Sequence, residues 1–360
     1  METSEEDVNF IEIELLPELV HERCFCDTGS REFVEYDSAS VKPLKSEKGP
    51  TNQESYYSAD VIVKFSGEPK IFALFIKLLP NSANETAYDW FLNEEIFYNS
   101  HLIRKTNMKC VPKCYAVSMG KYGRPVIVLE DLKAKGYEDI KRKLNFEELK
   151  LCIDAIGSFH GNIMKYVQEK NSSLNNFSPL KTLEYEEEYR DIFQKGYSRI
   201  LNLINSSLSK KLNSKLGEDP FKKLKAIITK EQTTICHGHF NQKNLLFKFE
   251  NGNPIDVKAV RWHTVKYSSI GMDLASLILE NISNELESIE KILISYLEAV
   301  KSGYPEEERN FLSMTEIRNT FVSNLFYAYF TLSLEEDSSD EKIVELSEQL
   351  ERLGAFTETQ

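Results

Sequence analysis

Residues 60–80, DVIVKFSGEPKIFALFIKLLP, leave the chain little conformational choice: two runs rich in β-branched and aromatic residues flank SGEPK, a Gly-Pro turn. They predict an antiparallel hairpin with Lys77 near the end of its second strand. NETAYDWFLNEEIFYNSHLI (84–103) then sets Tyr88, Phe91, Ile96 and Leu102 at roughly helical spacing behind Asn84 as a cap. A second hairpin is expected around MGKYGRP in CVPKCYAVSMGKYGRPVIVLEDL (110–132), its last strand running into Glu130 and Asp131.

The texture changes after Leu132. NFEELKLCIDAIGSFHGNIMKYV places Phe146, Leu149, Ile153, Ile156, Phe159 and Met164 on one stripe of an amphipathic helix. More helix follows through EYEEEYRDIFQKGYSRILNLI, with NSSLNNFSPL (171–180) as a polar loop between the two. A strand-like TTIC leads into ICHGHFNQKNLLF (235–247), and residues 245–261 read as a hairpin on the Asn-Gly turn of ENGNP. From Asp273 onward the pattern is helical, with linkers at GYPEEE and EEDSSDE. The expected class is α+β: a β-rich lobe with one main helix over 1–131, a mainly helical lobe over 132–360, and a cleft between them. Acidic helix stretches such as EYEEEY and NELESIEK read as solvated faces.

Fifty-seven acidic residues against 44 basic give a net charge of −13. That balance argues against nucleic acid, which needs clustered Lys and Arg, and against an anionic membrane surface. METSEEDVNFIEIELL lacks a basic stretch followed by an apolar one, and FALFI (72–76) is far short of the ~20 residues that span a bilayer. A cytoplasmic location with reduced cysteines is the expectation; Cys110-x3-Cys114 has no second pair to complete a zinc site.

Moving a phosphoryl group from ATP requires a few charges in fixed places. A Lys holds the phosphates and a carboxylate orients it; a base takes the acceptor's proton; an Asn and a second Asp hold magnesium. Over roughly residues 50 to 330 the chain resembles the ecdysteroid kinase-like family, a branch of the choline kinase and aminoglycoside phosphotransferase group expanded in insects. FIKLLP resembles the family's Lys strand and implies Lys77 as the phosphate lysine. FLNEEIFY resembles its F-x-x-E-x-x-F-Y helix and implies Glu94 as the partner carboxylate. VPKCY and VLEDLKAKGY resemble the hinge, implying a nucleotide against Glu130 and Leu132, and FHG implies His160 at the end of the following helix. HGHFNQKNLLF is similar to H-G-D-x-W-x-x-N-x-L-F, implying Asn244 as the site Asn. VKAVRWHTVKYSSIGMDL is similar to the family's segment from a strand-end Asp-Phe-Gln to Asp-Leu. His237, Gly238 and Asp273 then fall on positions that brace the loop backbone. The resemblance implies a bilobal protein-kinase-like fold.

Three departures change the expected chemistry. His239 stands at the family's catalytic Asp, Arg261 at its metal-binding Asp, and Gln53 at the glycine of a phosphate-loop segment that reads QESYYS (53–58). Magnesium takes hard anionic oxygens. A guanidinium at about 4 Å opposes each unit of its charge by several kcal/mol at an effective dielectric near 20. The expectation is a pseudokinase: ATP without magnesium, an anion, another small molecule or a partner protein in the cleft, and no metal. Arg261, His239 and Lys77 are the cations that would receive the anion. One alternative is an active phosphotransferase acting on a steroid or other hydroxyl, with His239 as base and Asp256 or Asp273 as metal ligand. Another is an interaction scaffold with an empty cleft. Two further readings are a metal triad of His237, His239 and His263, which assumes that Arg261 and His263 share a strand face, and a pocket lined by Trp262, His263, Tyr56, Tyr57 and Tyr267.

Overall fold

A computed structural model describes residues 2–44, 53–106, 108–170, 180, 186–228, 232–281, 286–334 and 338–356. Two compact units result: Met1–Arg104 with Val111–Glu138, and Lys105–Cys110 with Asp139–Gln360.

The first unit is an antiparallel five-stranded sheet in the order β1-β2-β3-β5-β4. Its strands are β1 (Val34–Pro43), β2 (Ser55–Phe65), β3 (Glu68–Leu78), β4 (Cys114–Ser118) and β5 (Val126–Glu130). Alternation along β2 buries Tyr57, Ala59, Val61, Val63 and Phe65, and β3 adds Leu74, Ile76 and Leu78. The β2–β3 turn is the two-residue pair Ser66 (φ 49°) and Gly67 (φ 97°). Its twist matches that of the flanking strands. Pro69, expected in the turn, lies in β3 opposite Lys64.

The cover for this apolar face comes from an unexpected place. The N-terminal residues form α1 (Glu2–Asn9), a π-helical turn (Phe10–Leu15) and α2 (Leu16–His21). They bury Ile11, Leu15, Leu16, Leu19 and Val20 in the same core. Asp7 ties the helix down, accepting from the Tyr57 hydroxyl at 2.5 Å and from Arg124 at 2.6 Å. α3 (Glu85–Asn99) begins where Asn84 caps it by accepting from the Ala87 amide at 2.9 Å. Phe91 is buried as expected, whereas Tyr88 is 44% exposed and leaves the stripe. α4 (His101–Thr106) follows α3, and β6 (Tyr137–Glu138) closes the unit.

In the second unit α5 (Phe146–Lys170) continues ten residues past His160, which is therefore mid-helix rather than at its end. Leu149, Ile153, Ile156 and Phe159 are buried, but Phe146 is 38% exposed and Ile163 is buried in place of Met164. From Phe159 the next residue on the stripe is four positions on, which is 163. α5 packs on α10 (Leu286–Lys301) so closely that a Cβ at Gly161 would stand 2.1 Å from the Val300 carbonyl oxygen. α6 (Glu186–Leu203), α7 (Ser206–Leu216) and α8 (Pro220–Ile228) precede β7 (Thr233–Cys236). β8 (Leu245–Glu250) and β9 (Asn253–Ala259) form the expected hairpin, with Asn251 at φ 51° and Gly252 at φ 79°. β10 (Lys266–Ser269) pairs antiparallel with β7, and α9 (Ile270–Asn281), α11 (Met314–Ser333) and α12 (Asp340–Arg352) complete the unit. The loop expected over 171–180 lies outside the described residues apart from Leu180, as does part of the linker at 335–341. No helix among the described residues is long and apolar enough to cross a membrane.

Candidate functional site

The β7/β10 pair opens at one end into two loops. β7 ends at Cys236 and the chain enters His237-Gly238-His239; β10 is preceded by the segment 261–265. Gly238 has φ 86°, and a Cβ there would lie 2.0 Å from the Thr264 carbonyl oxygen. Only glycine meets both demands. The loop is braced from beneath by Asp273, whose carboxylate accepts from the His237 amide at 2.8 Å and the Gly238 amide at 3.0 Å. His160 Nε2 stands 3.2 Å from the same carboxylate, and His160 Nδ1 stands 2.7 Å from the Tyr296 hydroxyl. Burial alone would push the Asp273 carboxyl up. The hydrogen bond and charge of His160, with the contributions of His237, outweigh it and hold the group below the ordinary carboxylate range.

The two loops are stitched together around the residue at 261. His237 Nε2 donates to the Val260 carbonyl at 2.9 Å, the Val260 amide donates to the Asn244 carbonyl at 2.9 Å, and the Thr264 hydroxyl donates to the His237 carbonyl at 2.9 Å. Asn244 in turn donates its side-chain amide to the His239 carbonyl at 2.8 Å. His237, His239, Asn244 and Arg261 are therefore brought together in the second unit, with Gly238 at the turn and Asp273 beneath.

Their protonation and geometry bear on the earlier expectations. His237 donates through Nε2 to a carbonyl and accepts at Nδ1 from the His239 amide at 3.3 Å. Both ring nitrogens are engaged, and burial pushes its pKa down to about 4. With Nε2 spent on a carbonyl and the Nδ1 lone pair turned to an amide, His237 presents no ring nitrogen to a metal, which argues against the triad of His237, His239 and His263. The assumption behind that triad also fails. Arg261 adopts the left-handed conformation (φ 64°, ψ 54°) and Trp262–Thr264 is a 3-10 turn, so Arg261 and His263 do not share a strand face. His239 is half-buried, and its Nε2 lies 2.9 Å from the Asn241 side-chain amide nitrogen. In that orientation the Nε2 lone pair accepts a hydrogen bond from Asn241 rather than facing outward as a base. Both Asp273 oxygens accept from the loop's amides, and the carboxylate also lies within 4.8 Å of the ligand atoms of His160 and Cys236, all three residues being buried. Asp256, on β9, precedes Arg261 by five residues, which is about 16 Å of extended chain.

Arg261 itself is exposed. A left-handed conformation costs a residue with a Cβ roughly 1–2 kcal/mol, and such strain persists where the surroundings over-determine it. Trp262, by contrast, is core: fully buried, it donates to the Ala259 carbonyl at 2.8 Å and packs on Phe159 and His237. Two of the aromatics expected to line a pocket are placed within their own units. Tyr57 is buried on Asp7, and the exposed Tyr267 accepts from the Thr233 hydroxyl at 2.6 Å.

The first unit holds the remaining sequence-derived residues. Lys77 on β3 donates to both carboxylate oxygens of Glu94 on α3 at 2.7 Å, and both side chains are buried. Gln53 accepts from the Asn84 amide at 2.9 Å, so the residue at the family's glycine position is tied to the N-cap of α3. The Glu130 carboxylate accepts from the Lys113 amide at 2.8 Å and pairs with Lys135. The Leu132 carbonyl accepts from the Lys135 and Tyr137 amides. The Glu130 side chain is thus held between the segment before β4 and the turn after β5, and the Leu132 carbonyl is held by that same turn.

Sequence reasoning did not single out Lys266 and Asn241. Lys266 lies opposite Cys236 in the β7/β10 register, a pairing across thirty residues that no local pattern announces.

The sequence model of the Ecdysteroid kinase-like family matches residues 53–303. No curated protein matches the chain. Among solved structures, a GDP and kanamycin complex of the aminoglycoside phosphotransferase APH(2″)-IIIa is 13% identical, with a TM-score of 0.46 over 88% of this chain and 94% of that one. A microcompartment-associated aminopropanol kinase is 11% identical, with a TM-score of 0.46 over 88% and 90%. The GDP complex of wild-type aminoglycoside 2′-phosphotransferase-IIIa is 11% identical, with a TM-score of 0.44 over 96% and 98%.

Proposed function

The chain belongs to the ecdysteroid kinase-like family, and within it we propose a catalytically impaired member that binds a nucleotide or other anion without magnesium. The observation that carries this reading is Arg261: an exposed guanidinium, launched from a strained left-handed residue, at the point where the family's magnesium carboxylate is expected. A permanent cation there repels a divalent ion and attracts phosphate oxygens, to which its planar fork is matched. The supply of carboxylates supports the same view, because Asp273 lies beneath the loop with both oxygens on backbone amides and Asp256 lies along a strand away from the loop. Without magnesium the charge on a transferring phosphoryl group goes unneutralised, which removes the main electrostatic contribution to transfer.

The test is the melting temperature of the full chain titrated with ATP, once with magnesium and once with EDTA. A ligand at a hundredfold excess over its dissociation constant stabilises by about 2.7 kcal/mol. Equal shifts in both buffers are expected. In the variant combining Arg261→Asp with His239→Asp, the shift should become magnesium-dependent. A magnesium-dependent shift in the unaltered protein would overturn the reading in favour of an active phosphotransferase.

A further inference from the structure

We propose that His160, Cys236 and Asp273 form a site for a single divalent ion of the zinc class, buried beneath the loop 237–239. The site is independent of the anion-binding reading. A ligand set with a thiolate and an imidazole suits a softer ion than magnesium, which takes oxygens.

Three elements bring the ligands together. His160 comes from the middle of α5, Cys236 ends β7, and Asp273 lies in the first turn of α9. One ligand atom from each lies within 4.8 Å of the other two, and all three residues are fully buried. Points no more than 4.8 Å apart share a centre within 4.8/√3, about 2.8 Å, of each of them. Zinc bonds run about 2.0–2.1 Å to nitrogen and oxygen and about 2.3 Å to sulfur, so shifts below about 1 Å close the shell. The histidine and the carboxylate need almost none. His160 Nε2 stands 3.2 Å from Asp273 Oδ2, and the edge of a tetrahedron with bonds of that length is about 3.3 Å. As a hydrogen bond to an ionised carboxylate the same separation is long, the usual range being about 2.7–2.9 Å.

Each ligand already has partners, and two of the three keep theirs when an ion binds. Asp273 gives one lone pair of each oxygen to the His237 and Gly238 amides; a carboxylate offers about four such sites, so each oxygen retains one. The Tyr296 hydroxyl lies 2.7 Å from His160 Nδ1, the outer contact that fixes the tautomer and orientation of a metal-bound imidazole. Cys236 is the ligand that changes. Its Sγ stands 3.3 Å from the Ser268 carbonyl and 3.4 Å from that of Ser269, and a thiol has one proton to give. Binding expels that proton: the ion and the thiol yield a metal–thiolate bond and H⁺. The ring proton facing Asp273 moves to Nδ1, where Tyr296 accepts it, so one proton leaves per ion. Thiolate and carboxylate then meet the ion's two charges. Lys266, whose charge also reaches Cys236, is half-buried on Tyr327 and stays outside the cluster. Three protein ligands leave the fourth position to a water. An ion here pins α5, β7 and α9 to one point under the amides that Asp273 holds.

Titration of the full chain with zinc and with cobalt(II) tests the site, the ion being added both to folded protein and during refolding from urea so that slow entry to buried ligands is covered. One equivalent should bind, release one proton and raise the melting temperature, and bound cobalt should show thiolate-to-metal charge-transfer absorption. Cys236→Ala should abolish that absorption and weaken binding more than about a hundredfold, because even an outer partner is worth about 10- to 100-fold. Tyr296→Phe keeps the ring's packing and should cost about 10- to 100-fold, which tests the site separately if Cys236→Ala does not fold. Cys24→Ala, a half-buried thiol in the first unit, should change neither. No binding of either ion by either route, a thiolate band that survives Cys236→Ala, or a melting temperature that zinc lowers would each overturn the site. His160 and Asp273 would then be a brace alone, and the anion-binding reading would stand untouched. A loaded zinc site in a chain that binds no ATP in EDTA would instead overturn that reading and leave this one.

Discussion

Replacing Gly238 by Ala separates two costs that a single glycine usually confounds. The first is conformational: a residue with a Cβ at φ 86° costs roughly 1–2 kcal/mol. The second is steric, because the new Cβ would stand 2.0 Å from the Thr264 carbonyl oxygen, a backbone atom that cannot swing aside. One loop must move by about 1 Å to restore ordinary contact. Such a shift breaks the Thr264 hydroxyl bond to His237 and the His237 bond to Val260, each worth about 1 kcal/mol. The expected loss is therefore about 3–4 kcal/mol. Gly252→Ala is the internal control in the same unit: its φ is 79°, but nothing lies within 4 Å of its Cβ position, so only the conformational cost of about 1–2 kcal/mol remains.

Urea unfolding followed by circular dichroism gives both values from the shift in midpoint at constant slope. The loop's role adds a second readout. Gly238→Ala should lose anion binding even under conditions where it is folded, whereas Gly252→Ala should keep it. If the two variants lose equal stability, the close approach of Thr264 does not constrain the loop, and the argument for a stitched, rigid pair of loops fails with it.

Two other perturbations have expected outcomes. Lys77→Met leaves the Glu94 carboxylate buried without its cation and should cost about 3–5 kcal/mol, while the paired change Lys77→Met with Glu94→Leu should recover most of that; equal melting temperatures for the single and double variants would refute the buried pair. Acid should destabilise the second unit in two stages. His237 takes a proton near pH 6.5 when unfolded but only near 4 when folded, so about 3 kcal/mol of stability present above pH 6.5 is lost as pH falls toward 4. Asp273, held below its ordinary range, contributes stability that is present above about pH 4 and is lost as pH falls through its folded value. A urea midpoint that stays flat between pH 7 and 5, or one that falls equally in His237→Gln, would refute the assignment to His237.

How much of this was legible in the chain depends on how far apart the interacting residues lie in sequence. The hairpins, the cap at Asn84 and the long amphipathic helix each rest on patterns within about one element, and each forms, with errors only in detail such as Pro69 falling inside β3 and Phe146 off the buried stripe. The loop 235–247 was legible for the same reason, because His237, Gly238, His239 and Asn244 are spaced within a single turn-and-strand unit. The helical cover over residues 2–21 was not. Its acidic positions obscured the apolar set Ile11, Leu15, Leu16 and Leu19, which is recognisable only against the sheet face it covers. The segment after Val260 misled for a different reason. VKAVRWH reads as one continuous strand, but the strand ends at Ala259, Arg261 turns left-handed, and Trp262 drops into the core against Phe159. Alternation along a strand cannot reveal where the strand stops. Lys266 was the least legible of all. Within WHTVKYS nothing sets it apart from a surface lysine; its place over Gly238 follows only once β10 is registered against β7, with Lys266 opposite Cys236.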